Sequence, residues 1–342
     1  MFKLLLLGFL SFSLSAKSLE SMISNMIIIG FEGEKLPLSL ATHIQNHGLG
    51  GVILFSKNIQ NPQQLKALTS SIKALDKSVF IATDQEGGLV QRLGAKNGFY
   101  DTPKPVDVGK MDDATAKVIY TKMADMLFDY GITMDFAPCV DLAKNPKNRV
   151  IYRYGRAFSS SPKEVVHFGK IFMDALEDVG VMPVLKHFPG HGSSVADSHR
   201  GFVDVSESWG EEELIPFKKL IPKAIMTAHI FNRHLDAEYP ATLSLKTNGI
   251  LRGDGYDGLL ISDDLQMGAI SKNYDLNQTL TLAIGASVDM VLFGNQLAKP
   301  IMIEALVARI KALVLAGKIP RKEIEVANSR IERMKKEHDA RR

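Results

Sequence analysis

One cysteine and one tryptophan in 342 residues are the clearest scarcities of this chain. A single thiol, Cys139, allows no internal disulfide and no zinc site built from several cysteines, and it leaves the redox compartment open. Charge of one sign is also missing, since 41 basic and 38 acidic residues give a formal net of +3. The basic residues are scattered, and even RIERMKKEHDARR at the C-terminus alternates signs as a solvated helix does. No nucleic-acid footprint is present. No apolar run reaches the roughly 20 residues of a membrane span. After its first strand-like run the chain reads IIIGFEGEKLP, without the glycine fingerprint of a dinucleotide-binding sheet.

What the N-terminus does have is MFKLLLLGFLSFSLSAKS: one lysine, an apolar stretch from Leu4 to Leu14, then small residues. That is the layout of a secretory signal peptide, and residues 1–16 are expected to be cleaved. The mature chain, 17–342, is then expected in the periplasm or outside the cell, without a membrane anchor.

Short apolar runs of strand length recur along the rest: MIIIGF, GGVILF, VFIATD, TMDFAPCVD, VMPVLKH, AIMTAH, GLLISDD and VDMVLFG. They are continuous rather than alternating, as expected when helices cover one face of a parallel sheet and a core fills the other. Helical patterns lie between most of them. In NPQQLKALTSSIKALDK, Leu65, Leu68, Ile72 and Leu75 share a face behind Asn61 as N-cap and Pro62 at the first helical position. SPKEVVHFGKIFMDALEDVG has the apolar stripe Val165, Phe168 and Phe172, and Ser161 with Glu164 is expected to form a capping box. Eight such units predict a single-domain α/β fold, a (β/α)₈ barrel of the TIM type, with a doubly wound sheet as the alternative. The chain after Pro320 reads as one more amphipathic helix.

Barrel active sites gather at the C-terminal ends of the strands. Five runs end there in ionisable groups: Asp84, Asp141, Lys186 with His187, His229, and Asp263. One such ending is usually a turn or a helix cap; five converging on one mouth read as an enzyme. Two chemistries fit. Metal-assisted hydrolysis would take its ligands from His187, His191, His199, His229 and Asp263. Glycoside hydrolysis would use Asp263, rigid on a strand end, as nucleophile and take a proton donor from elsewhere. The segment KHFPGHGSSVADSHRG, residues 186–201, holds three of the nine histidines and offers such a donor. In an extended Asp197-Ser198-His199 the first and third side chains point the same way. Asp197 would then fix the His199 tautomer and raise its basicity. Gly190, Gly192 and Gly201 would let the loop move as a lid. A sugar-binding protein without turnover is the third possibility.

KHFPGHGSSVADSHRG together with GLLISDDLQM resembles glycoside hydrolase family 3, in its β-N-acetylglucosaminidase branch of peptidoglycan turnover. GGVILFSKNIQNPQQL, ATDQEGGLVQRL, FAPCVDL and AHIFNRHLDAEYPATLS are similar to the family's segments and occur in its order. The resemblance implies a retaining enzyme that releases terminal β-linked N-acetylglucosamine without metal or cofactor, its partner being a small carbohydrate such as a muropeptide. Asp263 matches the nucleophile, His199 the general acid/base and Asp197 its partner. Asp84, Arg92, Arg156, Lys186 and His187 match residues that hold the sugar. The chain departs from the pattern in three places. Leu89 follows DQEGG where arginine is common. VIYRYGRAF is longer than usual, so Arg149 or Arg153 competes with Arg156. A leader is present where many Gram-negative relatives are cytoplasmic. Asp264 is expected to be structural, His191 to support its loop, and His229 to make either a supporting hydrogen bond or a sugar contact. Trp209 and Cys139 are read as packing residues.

Overall fold

Each of the eight apolar runs contains a short strand in the structure, a computed structural model that describes residues 17–195, 197, 198 and 201–340. The strands are Ile27–Ile29, Gly51–Ile53, Phe80–Thr83, Met134–Asp135, Met182–Phe188, Ala224–Thr227, Leu259–Asp264 and Met290–Phe293. They pair in parallel in chain order, and the first closes on the last through Ile27↔Val291, Ile28↔Leu292 and Ile29↔Phe293. This is the predicted barrel. The doubly wound alternative is corrected, because an open sheet has no such seam. The expected leader, residues 1–16, lies outside the described residues. No helix among those described is long and apolar enough to cross a membrane.

Burial follows the sequence pattern. Ile28, Val52, Ile81, Met134, Val184, Ile225 and Leu260 are almost wholly excluded from solvent, in one core with the inward faces of the helices. The helix Pro62–Leu75 begins as predicted, with the Asn61 side chain accepting the Gln64 N–H at 2.9 Å. Leu65, Leu68 and Ile72 form its buried stripe. The tail is the helix Arg321–Asp339, tied to the bottom of the barrel by Lys335, whose ammonium donates to Asn25 and to the Leu49 carbonyl.

Two details differ from expectation. The helix Pro162–Asp178 starts at Ser161, but no side-chain cap forms there. The Ser161 N–H, which Glu164 would have reached back to bind, donates instead to Ser159 Oγ at 3.1 Å. A nearer hydroxyl has taken the place of the capping box. In TMDFAPCVD only Met134–Asp135 forms regular ladder, followed by a single bridge between Cys139 and Lys186. Pro138 has no N–H to continue the strand.

Candidate active site

The third strand carries the first part of the site. Beyond Thr83 the chain makes a small hairpin, Gln85–Gly87 against Val90–Gln91. Gln85 locks it, since its Oε1 accepts the N–H groups of Arg92 and Leu93, both at 3.0 Å. Gly87 makes the turn possible: its φ is +102°, and a Cβ there would sit 2.2 Å from the Pro103 carbonyl oxygen. The hairpin thereby folds Arg92 back over Asp84, with Nη2 to Oδ2 at 2.8 Å. Lys186, at the end of the fifth strand, donates to the other oxygen of Asp84 at 2.9 Å and to Glu86 at 2.6 Å. Arg156 grips Glu86 with two parallel hydrogen bonds of 2.8 and 2.7 Å.

The result is a charge-alternating chain, Arg92–Asp84–Lys186–Glu86–Arg156, most of it buried. Burial pushes the Asp84 and Glu86 carboxyls up, but the cations beside them outweigh it. Lys186 and Arg92 hold Asp84 well below the usual carboxylate range, and Arg156 and Lys186 lower Glu86. The converse holds for Lys186: burial depresses it, and Asp84 and Glu86 raise it well above a free lysine. Asp84, Glu86 and Lys186 are therefore charged at neutral pH.

His187 sits at the end of the chain. Its Nδ1 lies 2.6 Å from Asp141 Oδ2, and its Nε2 lies 3.4 Å from Arg156 Nη2. Arginine only donates, so Nε2 is the acceptor and the ring proton is on Nδ1, held by Asp141. Asp141 also accepts the N–H groups of His187 and His191, at 3.3 and 2.7 Å. Cys139 is buried as expected, but it is more than filler, because its thiol donates to Asp141 at 3.3 Å.

Asp84, Arg92, Arg156, Lys186, His187 and Asp263 all line one cavity of about 650 Å³ at the C-terminal mouth of the barrel. Asp263 reaches it half-buried from the seventh strand, one of its oxygens accepting the Asp264 N–H at 2.7 Å. Asp264 borders the same cavity, but its carboxylate is bound by the N–H groups of Gln266 and Gly294. His229 makes the supporting contact: Nε2–H donates to the Asp264 carbonyl at 2.9 Å, and Nδ1 lies 2.9 Å from the Thr242 hydroxyl. It fixes the backbone just past Asp263. Asp197 is half-buried on its loop and is not among the residues lining the cavity, although Ser198 is. His199 lies outside the described residues.

Among the described residues His191 and His229 do not gather with Asp263 as metal ligands. His229 faces a carbonyl and a threonine, and His191 lies between Ser194 and Ser198. Among the described residues, one group of three possible ligands comes together, Cys139, Asp141 and His187, and it contains none of His191, His229 or Asp263. Its members already bind one another, and burial, then Asp141, pushes the thiol far from the thiolate form a metal needs.

Comparison with known proteins fits this geometry. The model of the glycosyl hydrolase family 3 N-terminal domain matches residues 18–334. The chain belongs to that family. It is 38% identical over 290 residues to a β-hexosaminidase of Alkalilimnicola ehrlichii, covering 80% of this chain and 82% of the relative. A β-hexosaminidase of Tolumonas auensis is 34% identical, with 81% and 85% covered. A family 3 β-N-acetylglucosaminidase from Paenibacillus sp. FPU-7 superposes with a TM-score of 0.87 at 30% identity, over 95% of this chain. This chain spans only 63% of that longer one.

In this family 3 barrel, sequence reasoning passed over Glu86, which binds both Lys186 and Arg156. The signal was present: Asp84 and Glu86 are two residues apart in an extended segment, the same spacing used for Asp197 and His199. Arg149 and Arg153 are not among the residues lining the cavity, whereas Arg156 is.

Proposed function

We propose that this chain is an exo-acting β-N-acetylglucosaminidase that removes terminal β-linked N-acetylglucosamine with retention, and that its natural substrates are peptidoglycan fragments met after export through the leader 1–16. The observation that carries this reading is the placement of Asp263 on the same cavity as the fixed set Asp84, Arg92, Lys186, Arg156 and His187. The names of the relatives supply the sugar. Asp84 and the cations beside it suit the hydroxyls of one pyranose. A lysine has three N–H donors, and two on Lys186 are committed to Asp84 and Glu86, so the third is suited to a sugar oxygen. At the outer wall Leu89, Tyr154 and Leu297 expose apolar surface to the cavity mouth. The leaving unit is met there by apolar contact more than by charge.

In the first step an Asp263 oxygen bonds to the anomeric carbon as the glycosidic bond breaks. His199, with its tautomer set by Asp197, delivers a proton to the leaving oxygen. In the second step neutral His199 takes a proton from water, which attacks the anomeric carbon and releases Asp263. His191 is a poor substitute, since burial holds it down to about 4 and both of its ring nitrogens face serines.

Release of nitrophenol from the N-acetyl-β-glucosaminide and from the plain β-glucoside tests the sugar. A clear preference for the N-acetyl substrate is expected, and equal rates would overturn the assignment. His199→Ala and Asp197→Asn should each lower kcat by about 10²–10⁴-fold, the usual worth of a placed acid–base. Wild-type rates in either would remove the dyad from the mechanism. Rigorous chelation is expected to leave kcat/KM unchanged within about twofold, because among the described residues no set of ligands meets at Asp263. Loss of activity with recovery on added zinc would restore the metal reading.

A further inference from the structure

One buried carboxylate packed against Gly190 and Gly192 has no part in the chemistry above. Glu213 lies in EEEL, a run that reads as a solvated helix start, yet its side chain is only 1% exposed. It belongs to the single turn Glu211–Leu214. Its Oε2 accepts the Gly192 N–H at 3.0 Å. The loop backbone is wedged tightly at this point. A Cβ on Gly190, whose φ is +119°, would fall 2.5 Å from the Glu213 Cβ, and one on Gly192 would fall 1.9 Å from the Leu142 carbonyl oxygen. From the opposite side Asn148 Nδ2 donates to the His191 and Gly192 carbonyls at 2.9 and 3.2 Å, while Asp141 takes the His191 N–H. The base of the loop is therefore clamped at 191–192 by Asn148, Asp141 and Glu213. Val195, three residues on from Gly192, is already more than half exposed.

We propose that Glu213 is a positioning residue for this reaction, holding the base of the loop through Gly192 so that Asp197 keeps its place for the acid–base step. It touches no substrate, and the proposal rests on the Asp197–His199 dyad described above. A loop seated about 1 Å wrongly is enough to lose on the order of 10²-fold in rate while the sugar still binds.

The site also makes the clamp responsive to pH. Burial pushes Glu213 up to about 7; Asp141 adds to this, and the Ser193 hydroxyl and the N–H groups of Gly192 and Ser193 oppose it. The other ionisable groups nearby are His191, uncharged near neutrality, and the Lys144–Glu212 ion pair on the adjoining residue of the turn. An ionised carboxylate binds an N–H more strongly than a neutral acid, so the clamp tightens as pH rises through about 7. Stability runs the other way. A carboxyl raised from 4.5 to about 7 favours the folded state below 4.5, and that contribution is lost as pH rises towards 7.

The experiment is kinetic, on the full chain, with Glu213→Ala, Glu213→Gln, Asp197→Asn and the Asp197→Asn/Glu213→Ala double variant. Glu213→Ala should lower kcat about 10- to 100-fold with KM within about threefold. Glu213→Gln keeps an acceptor for Gly192 and should restore most of kcat, with the step near pH 7 gone from its profile. In the Asp197→Asn background Glu213→Ala should add little further loss, since both act through His199. Wild-type kinetics for Glu213→Ala beside a crippled Asp197→Asn overturn this proposal alone. Losses that multiply in the double variant, or a glutamine variant as poor as alanine, overturn it as well. An unaffected Asp197→Asn instead overturns the dyad on which it rests.

Discussion

Asp263→Ala is expected to lower kcat by about 10⁴-fold or more on the N-acetyl-β-glucosaminide, with the protein still folded and still able to bind sugar. The size follows from the role proposed for Asp263 as nucleophile. Removing a nucleophile abolishes the covalent route, leaving an oxocarbenium-like centre with no carboxylate beneath it. The side chain is half-buried at a strand end, so its loss should move the melting temperature by only a few degrees. Azide is small enough to enter the space vacated by the carboxylate, and it should restore a measurable part of the rate. Its product decides the stereochemistry. One displacement in place of two inverts the centre, so the α-glycosyl azide is expected. A β-azide, or a variant as fast as wild type, would show that Asp263 does not attack the sugar.

Glu86→Ala is expected to have the largest effect on stability. Glu86 is completely buried and serves two cations at once, Arg156 through both of its oxygens and Lys186 through one. Assembling such a group offers little net stability, because its desolvation offsets the attraction. Breaking it is different, since two buried positive charges are left with one partner fewer. The loss should be about 3–5 kcal/mol, or on the order of 5–10 °C in melting temperature. Sugar affinity should fall as well, because Lys186 and Arg156 lose the anchor that aims them. Thermal unfolding at neutral pH reads the first effect and KM the second. The sign with pH is also set. A carboxyl lowered in the folded protein gives stability that is present above its unfolded value of 4.5 and is lost on acidification. The gap between wild type and variant should therefore narrow as the solution is acidified. A variant that melts within about 1 °C of wild type would mean the cations find other partners.

The barrel was legible because strands buried on both faces must be continuously apolar, and each run stops where the chain emerges at the mouth. VMPVLKH and GLLISDD therefore revealed both the strand and the residues it delivers. Asp84, Lys186, His187 and Asp263 follow from that rule, and Arg92 follows only from the family likeness, because a Gly-Gly turn and the Gln85 lock are needed to fold it back. Glu213 could not be read in the same way. Three consecutive glutamates look solvated, and only the return of the chain after the loop buries the third of them. The Ser161–Glu164 box failed for a similar reason: the local pattern was right, but Ser159 had already taken the N–H.

The closure of the barrel also has a consequence for how the chain is made. Its first strand pairs with the last, and Lys335 reaches back 310 residues to Asn25. At a synthesis rate of roughly 5–20 residues per second, the first segment waits about 15–60 s before its final partner leaves the ribosome. Through that interval the hydrogen-bonding edge of Ile27–Ile29 faces only whatever the growing chain or its helpers provide. That edge is paired only once Met290–Phe293 has emerged, and the Lys335 tie to Asn25 forms only after the tail follows.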